Sequence, residues 1–218
     1  MIALVDYGAG NLRSVANTLS ELGAQYEVVR DSAGVRHARK IILPGVGHFG
    51  QMMRSLHALG VHEALLERMR AGVPFLGICL GLQALFEGSE EAPELPGFGL
   101  YPGKVRRFAN SASDVRVPHM GWDQIEAQPG SCPSKLLANT ITPPYVYFAH
   151  SYYAPVIPAT VATCTYSLPY TAVLEDGNVF GVQFHPEKSG KTGLLVMKNF
   201  VELSQPGAIS KPRETVVG

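Results

Sequence analysis

The chain has 218 residues, 46% of them hydrophobic and 17% charged, with 18 basic side chains balanced by 18 acidic ones. That length can bury a substantial core, and the composition is globular rather than disordered. Zero formal net charge without a long basic run argues against nucleic-acid binding, and no apolar stretch nears the roughly 20 residues of a membrane span. Met1 to Asp6 has no basic segment and meets an acid too early for a secretion signal, so a cytoplasmic enzyme is expected. Cys79, Cys132 and Cys164 are too few for a disulfide scaffold.

Taken in order, the first third of the chain alternates strand and helix signals. Ile2 to Val5 is a continuous apolar run that ends at Tyr7-Gly8-Ala9-Gly10. Leu12, Val15, Ala16, Leu19 and Leu22 recur at helical spacing and are closed by Gly23. Tyr26–Val29 and Ile41–Leu43 read as strands, and Phe49 to Ala71 as two helical pieces broken near Gly60. Phe75–Ile78 is a short buried strand, and Leu80 to Phe86 a helix. Strands that are apolar on both faces and separated by helices predict a mainly parallel sheet covered on both sides. Beyond Leu95, candidate strands sit at Lys104–Phe108, Tyr145–Ala149, Val161–Thr165, Thr171–Glu175 and Val179–Phe184, with Asp176-Gly177 as a hairpin turn. This portion predicts an added antiparallel region. A last helix covers roughly Thr192 to Leu203, and residues 204–218 read as a flexible tail. The expectation is therefore one α/β domain over residues 1–203.

The sharpest chemical signal is Gly77-Ile78-Cys79-Leu80-Gly81, placed between a predicted strand and a predicted helix. A nucleophile at a strand-to-helix turn has crowded neighbours at minus two and plus two, which glycine suits. A helix start behind it favours thiolate and offers a backbone N–H. A cysteine nucleophile needs a base, and the base needs an orienting partner. Among the seven histidines, His185 stands out because Pro186 and Glu187 follow it directly after a strand. In extended chain their side chains would share a face, with proline stiffening the pair; alone, the triplet is a weak signal and reads more often as a surface turn. Leu43-Pro44-Gly45-Val46-Gly47 ends a predicted strand where ligands of open parallel sheets bind, and could lend a second N–H. No metal-binding pattern is found, since HExxH is absent. Gly8-Ala9-Gly10 lacks the third glycine of a dinucleotide fingerprint, because position 13 is Arg. No cofactor is expected.

Taken together, Pro44–Gly47, Gly77–Gln83 and His185–Glu187, in that order, resemble the class I glutamine amidotransferases, which use a Cys-His-Glu triad. Asp6–Asn11, Pro118–Trp122, Tyr147–Tyr152 and Lys188–Gly190 bring the chain closest to the histidine-biosynthesis branch of that family. Asp123 departs from the Asn expected after Gly-Trp. The resemblance implies Cys79, His185 and Glu187 as catalytic residues, with Leu80 N–H and the Gly45-Val46 peptide stabilising an oxyanion at about 3–4 kcal/mol per donor. It implies Gly47, Gln83, Glu91, His150, Ser151 and Tyr152 as the glutamine-holding set, although Gln83 could merely share the helix face of Cys79. It also implies a heterodimer with a (β/α)8-barrel cyclase that receives the ammonia, and Trp122, Tyr147 and Lys188 as contacts with it. Their plainer alternatives are a core Trp, a core Tyr and a solvated Lys. Rival readings are another class I glutaminase, such as that of pyridoxal phosphate synthase, and more distantly a cysteine hydrolase or stress protein of related topology.

Overall fold

The computed structural model describes residues 1–9, 11–109 and 116–203, so the expected tail at 204–218 lies outside the described residues. In chain order the first elements are β1 (Ile2–Val5), α1 (Leu12–Glu21), β2 (Tyr26–Val29), α2 (Ser32–His37), β3 (Lys40–Gly45), α3 (Phe49–Ala58) and α4 (Val61–Arg70). Then come β4 (Phe75–Cys79), α5 (Leu80–Gln83), β5 (Phe86–Ser89), β6 (Tyr101–Arg107), β7 (His119–Gln124), β8 (Glu126–Ala127) and β9 (Tyr145–His150). The last are β10 (Tyr152–Tyr153), β11 (Thr160–Tyr166), β12 (Leu168–Asp176), β13 (Val179–Val182), a 3-10 turn (Pro186–Lys188) and α6 (Gly190–Glu202).

An eight-stranded sheet runs in the order β2-β1-β3-β4-β13-β12-β11-β8. The first five strands are parallel, and the last three continue antiparallel. The expected combination is thus one continuous sheet rather than two layers. Alternate residues of the central strands face opposite cores. Leu4, Ile42, Leu76 and Val182 pack with Leu19 of α1 and Phe200 of α6. Val5, Ile41, Leu43 and Phe75 pack with Met52 and Leu56 of α3 and Met69 of α4. Each such fully buried side chain contributes about 1.5–3 kcal/mol. The helix breaks fall at glycines with positive φ: Gly23 at +65° after α1, and Gly60 at +66° between α3 and α4.

Two smaller sheets, β10-β6-β5 and β7-β9, stand beside the main one. They hold most of what the sequence pattern missed. The helix expected over Leu80–Phe86 stops at Gln83, because the next carbonyls are taken from elsewhere. Ala84 O accepts from Phe98 N at 2.7 Å, and Leu85 O accepts from Leu100 N at 2.9 Å. Phe86 then starts β5. The strand expected to reach Phe184 ends at Val182, where the chain turns toward the His185 N–H bond to Tyr147 O at 2.9 Å. α2 has only six residues and includes a glycine, so its period is too short to read; Asp31 Oδ1 caps it by accepting from Gly34 N at 2.8 Å. β7 was hidden by its own glycine and the preceding proline.

Candidate active site

β4 lies between β3 and β13, so the C-terminal ends of three parallel strands meet. Gly45 of β3 pairs with Cys79, and the chain leaving β13 reaches His185 three residues later. Cys79 sits at φ 53°, ψ −104°, a backbone conformation that L residues rarely adopt. The flanking glycines permit it. A Cβ on Gly77 would lie 2.4 Å from Gly81 O, and one on Gly81 would lie 2.1 Å from Leu43 O. Gly45 is equally constrained, its Cβ falling 2.6 Å from Gly81 N. Both contacts at the nucleophile turn are with backbone, so neither can be relieved by a side-chain rotation. α5 behind the turn has four residues, too short for the helix-dipole support expected there. Leu80 N–H, at its first position, has no acceptor within the helical pattern.

His185 and Glu187 meet inside the 3-10 turn rather than along an extended strand, which corrects the route by which the pair was expected to form. His185 Nδ1 and Glu187 Oε1 are 2.9 Å apart, with side-chain exposures of only 3% and 1%. Burial works against the imidazolium, but Cys79 and then Glu187 outweigh it and raise the His185 pKa to about 10. Burial likewise opposes the Glu187 carboxylate, and the hydrogen bonds from His185 and Asn11 nevertheless hold its pKa below the ordinary value. The two directions agree: the pair is ionic. Asn11 Nδ2 donates to the same Glu187 oxygen at 2.9 Å and is itself held by Ser14 Oγ at 2.8 Å. Ser189 Oγ donates to His185 O at 2.7 Å and accepts from Tyr147 N at 2.9 Å, pinning the turn to β9.

A pocket of about 260 Å³ opens over the nucleophile. Cys79, Leu80, Val46, Gly47, Gln83, Glu91, His150, Ser151 and Tyr152 line it. Every expected substrate residue therefore reaches a single cavity. Pro118, Met120 and Ala149 also line it without having been singled out. Glu91 Oε2 accepts from Phe49 N at 2.7 Å, which fixes its carboxylate at the start of α3. Gln83 Nε2 donates to Tyr152 O at 2.8 Å and to Gln183 Oε1 at 3.1 Å, and Gln183 Nε2 in turn donates to Cys79 Sγ at 3.5 Å. Both ring nitrogens of His150 are engaged: Nδ1 bonds Tyr152 O at 2.8 Å, Nε2 lies 3.3 Å from the Tyr170 hydroxyl, and burial drives its pKa down to about 3. Of the expected oxyanion donors, Val46 N–H is engaged elsewhere. It donates to the Tyr7 hydroxyl at 3.3 Å, and that hydroxyl lies 3.3 Å from Val46 O. Burial raises the Tyr7 pKa to about 12, so the hydroxyl keeps its proton.

Sequence spacing overlooked Gln183, Ser189 and the role of Asn11. Gln183 was within reach of it, because two residues before His185 on an extended chain is the same face. The expected interface residues gather beside the catalytic turn. Trp122 is 56% exposed, which removes the core-Trp alternative, and it meets the Tyr147 ring edge-on at 6.2 Å. Lys188 Nζ stands 5.8 Å over the same Tyr147 ring.

The family model for class I glutamine amidotransferases matches residues 3–203. The chain belongs to that family. Relatives named as the HisH subunit of imidazole glycerol phosphate synthase narrow the assignment. The one from Deinococcus radiodurans is 48% identical over 201 residues, covering 91% of this chain and 92% of that one. The one from Methanothermobacter thermautotrophicus is 45% identical over 204 residues, covering 93% and 98%. At these identities the chain is a member of the HisH group of class I amidotransferases. Solved structures agree on the fold. A glutamine amidotransferase superimposes with a TM-score of 0.71 at 19% identity, covering 93% of this chain and 98% of that one. PurLQS from Thermotoga maritima gives 0.69 at 19% identity, covering 92% and 96%.

Proposed function

We propose that this amidotransferase hydrolyses glutamine at Cys79 and delivers the ammonia to a (β/α)8-barrel cyclase chain, as the glutaminase subunit of an imidazole glycerol phosphate synthase in the cytoplasm. The observation that carries the reading is the buried His185–Glu187 ion pair beside a strained Cys79 at the floor of a pocket of substrate size. No helix among the described residues is long and apolar enough to cross a membrane.

The chemistry follows from the charges. With His185 held as imidazolium, the sulfur of Cys79 is the nucleophile and attacks the side-chain amide carbon of glutamine. Leu80 N–H receives the developing oxyanion, with Val46 N–H joining it once that peptide has turned from Tyr7. His185 gives its proton to the amide nitrogen, the C–N bond breaks, and ammonia leaves a glutamyl thioester. Water then attacks the thioester as His185 takes a water proton, and glutamate departs with the Cys79 sulfur restored. Glu91 suits the substrate ammonium, and the backbone near Ser151 its carboxylate. Ammonia freed into water is mostly protonated and no longer nucleophilic. Trp122, Tyr147 and Lys188, clustered beside the His185–Lys188 turn, suit a partner that receives it directly.

The test is glutamine hydrolysis by the chain alone, with the cyclase, and with the cyclase plus its nucleotide ligand. An electrophilic glutamine analogue should label Cys79. Labelling of exposed Cys132 instead, or no hydrolysis in any of the three mixtures, would remove the assignment.

A further inference from the structure

Where the β7–β9 ribbon meets the main sheet, three side chains with different ligand chemistry converge. His119 and Asp123 come from β7 and Cys164 from β11, and one ligand atom of each lies within 4.8 Å of the others. Two are firmly buried, and the Asp123 side chain is 35% exposed, leaving one side open to solvent. The sequence offered no sign of the group, because Cys164 arrives from a distant strand. Gly121, at φ +138° between His119 and Asp123, takes β7 out of regular extension where the two side chains lean together.

The spacing matches a metal site. Nitrogen and oxygen ligands at about 2.0–2.1 Å from a tetrahedral ion stand about 3.3 Å apart. His119 Nε2 and Asp123 Oδ2 are 3.3 Å apart. The far sides of two of the three ligands are also held, as metal ligands usually are. Gln124 N donates to Asp123 Oδ1 at 2.7 Å, and His119 Nδ1 lies 3.1 Å from the Tyr170 hydroxyl.

A hydrogen-bonded chain runs from His150 through the Tyr170 hydroxyl to His119. His150 Nδ1 faces a carbonyl, Tyr152 O, and so bears the hydrogen. His150 Nε2 is then an acceptor, 3.3 Å from the Tyr170 hydroxyl. When the hydroxyl hydrogen goes to His150, the Tyr170 oxygen accepts from His119 Nδ1–H across 3.1 Å. In that tautomer His119 Nε2 presents its lone pair 3.3 Å from Asp123 Oδ2, where an ion can sit between them; in the other its N–H donates to that carboxylate.

We propose that His119, Asp123 and Cys164 bind one divalent transition-metal ion, zinc by preference for a mixed nitrogen, oxygen and sulfur set, with solvent in the fourth position. Binding forms a metal–sulfur bond as Cys164 gives up its thiol proton to solvent, one proton per ion. The ion would tie the two-stranded β7–β9 ribbon, with exposed Met120 and Trp122, to β11 of the main sheet. None of the three residues lines the Cys79 pocket, and the site stands whether or not the glutaminase reading does.

The experiment is titration of the full, chelator-treated chain with cobalt(II), followed by thiolate-to-cobalt absorption in the near ultraviolet, and with zinc against a chromogenic chelator. One equivalent should bind. Cys164→Ser should lose the absorption, and Asp123→Asn should weaken binding at least tenfold. Cys79→Ala and Cys132→Ser should keep both. Zinc should also raise the melting temperature of wild type by several degrees and leave Asp123→Asn unmoved, with matching melts without metal showing that this half-exposed variant folds. Absence of the cobalt band in wild type would overturn the proposal, as would a band that survives in Cys164→Ser or vanishes in Cys79→Ala.

Discussion

Replacing Glu187 by Gln isolates what the carboxylate charge does for His185. The amide is nearly the same shape, and its oxygen can still accept from His185 Nδ1 and Asn11 Nδ2, now both within 2.9 Å of Glu187 Oε1. Ring orientation should therefore survive. The charge does not, and the new NH2 would occupy the place of Glu187 Oε2, which is buried with no hydrogen-bond partner. A charge-assisted hydrogen bond is worth about 1.5–3 kcal/mol, which corresponds to roughly one to two pKa units at 1.36 kcal/mol each. The same energy converts to about a 10–100-fold loss in kcat. The pH profile gives a second, independent readout. In the wild type His185 keeps its proton until the pH nears about 10. Because this pKa is raised above the ordinary 6.5, the ion pair stabilises the fold fully below that ordinary value and the benefit is lost as pH rises through about 10. In Glu187→Gln the alkaline fall in kcat should move one to two units toward neutrality, and the melting temperature at neutral pH should drop. The assay is glutamate release with the cyclase and its ligand present, from pH 6 to about 11. Wild-type rate with an unmoved alkaline limb would refute the assignment of Glu187 as the partner that holds His185 charged.

Other substitutions test the remaining parts. Cys79→Ala should abolish glutamine hydrolysis while leaving synthesis from added ammonia through the cyclase, measured as product formation with ammonium in place of glutamine. His185→Asn should be nearly as damaging, and the double variant no worse than either single one, since the two act as a unit. Asn11→Ala removes one neutral donor from Glu187 and should cost about 1 kcal/mol, roughly fivefold in kcat, with KM little changed. Tyr7→Phe deletes the oxygen that accepts from Val46 N–H; hydrolysis by the isolated chain should rise several-fold while the fully liganded complex gains little. Gly81→Ala drives a Cβ to 2.1 Å from Leu43 O, so loss of soluble protein or a melting temperature lower by ten degrees or more is expected.

The central parallel strands, the helices that cover them and the nucleophile turn are all legible in one dimension, because each is enforced by neighbours in the chain. Ile2–Val5 and Phe75–Cys79 are apolar on both faces since both faces are covered, and Gly77 and Gly81 are glycines because backbone crowds the turn on both sides. His185 and Glu187 could be paired only with the other motifs beside them, and the turn that joins them is not the extended one that spacing suggests. Short or glycine-broken elements such as α2 and β7 escape, because six residues with a glycine among them carry too little period to distinguish from loop. What chain order does not encode is contact between distant segments. Asn11 on Glu187, Gln183 on Cys79, Tyr7 on Val46 and Cys164 beside His119 and Asp123 arise only when the sheet brings separate strand ends together. A hydrogen bond between residues far apart in the chain demands only one compatible side chain at each end, and a single polar residue leaves no periodic trace.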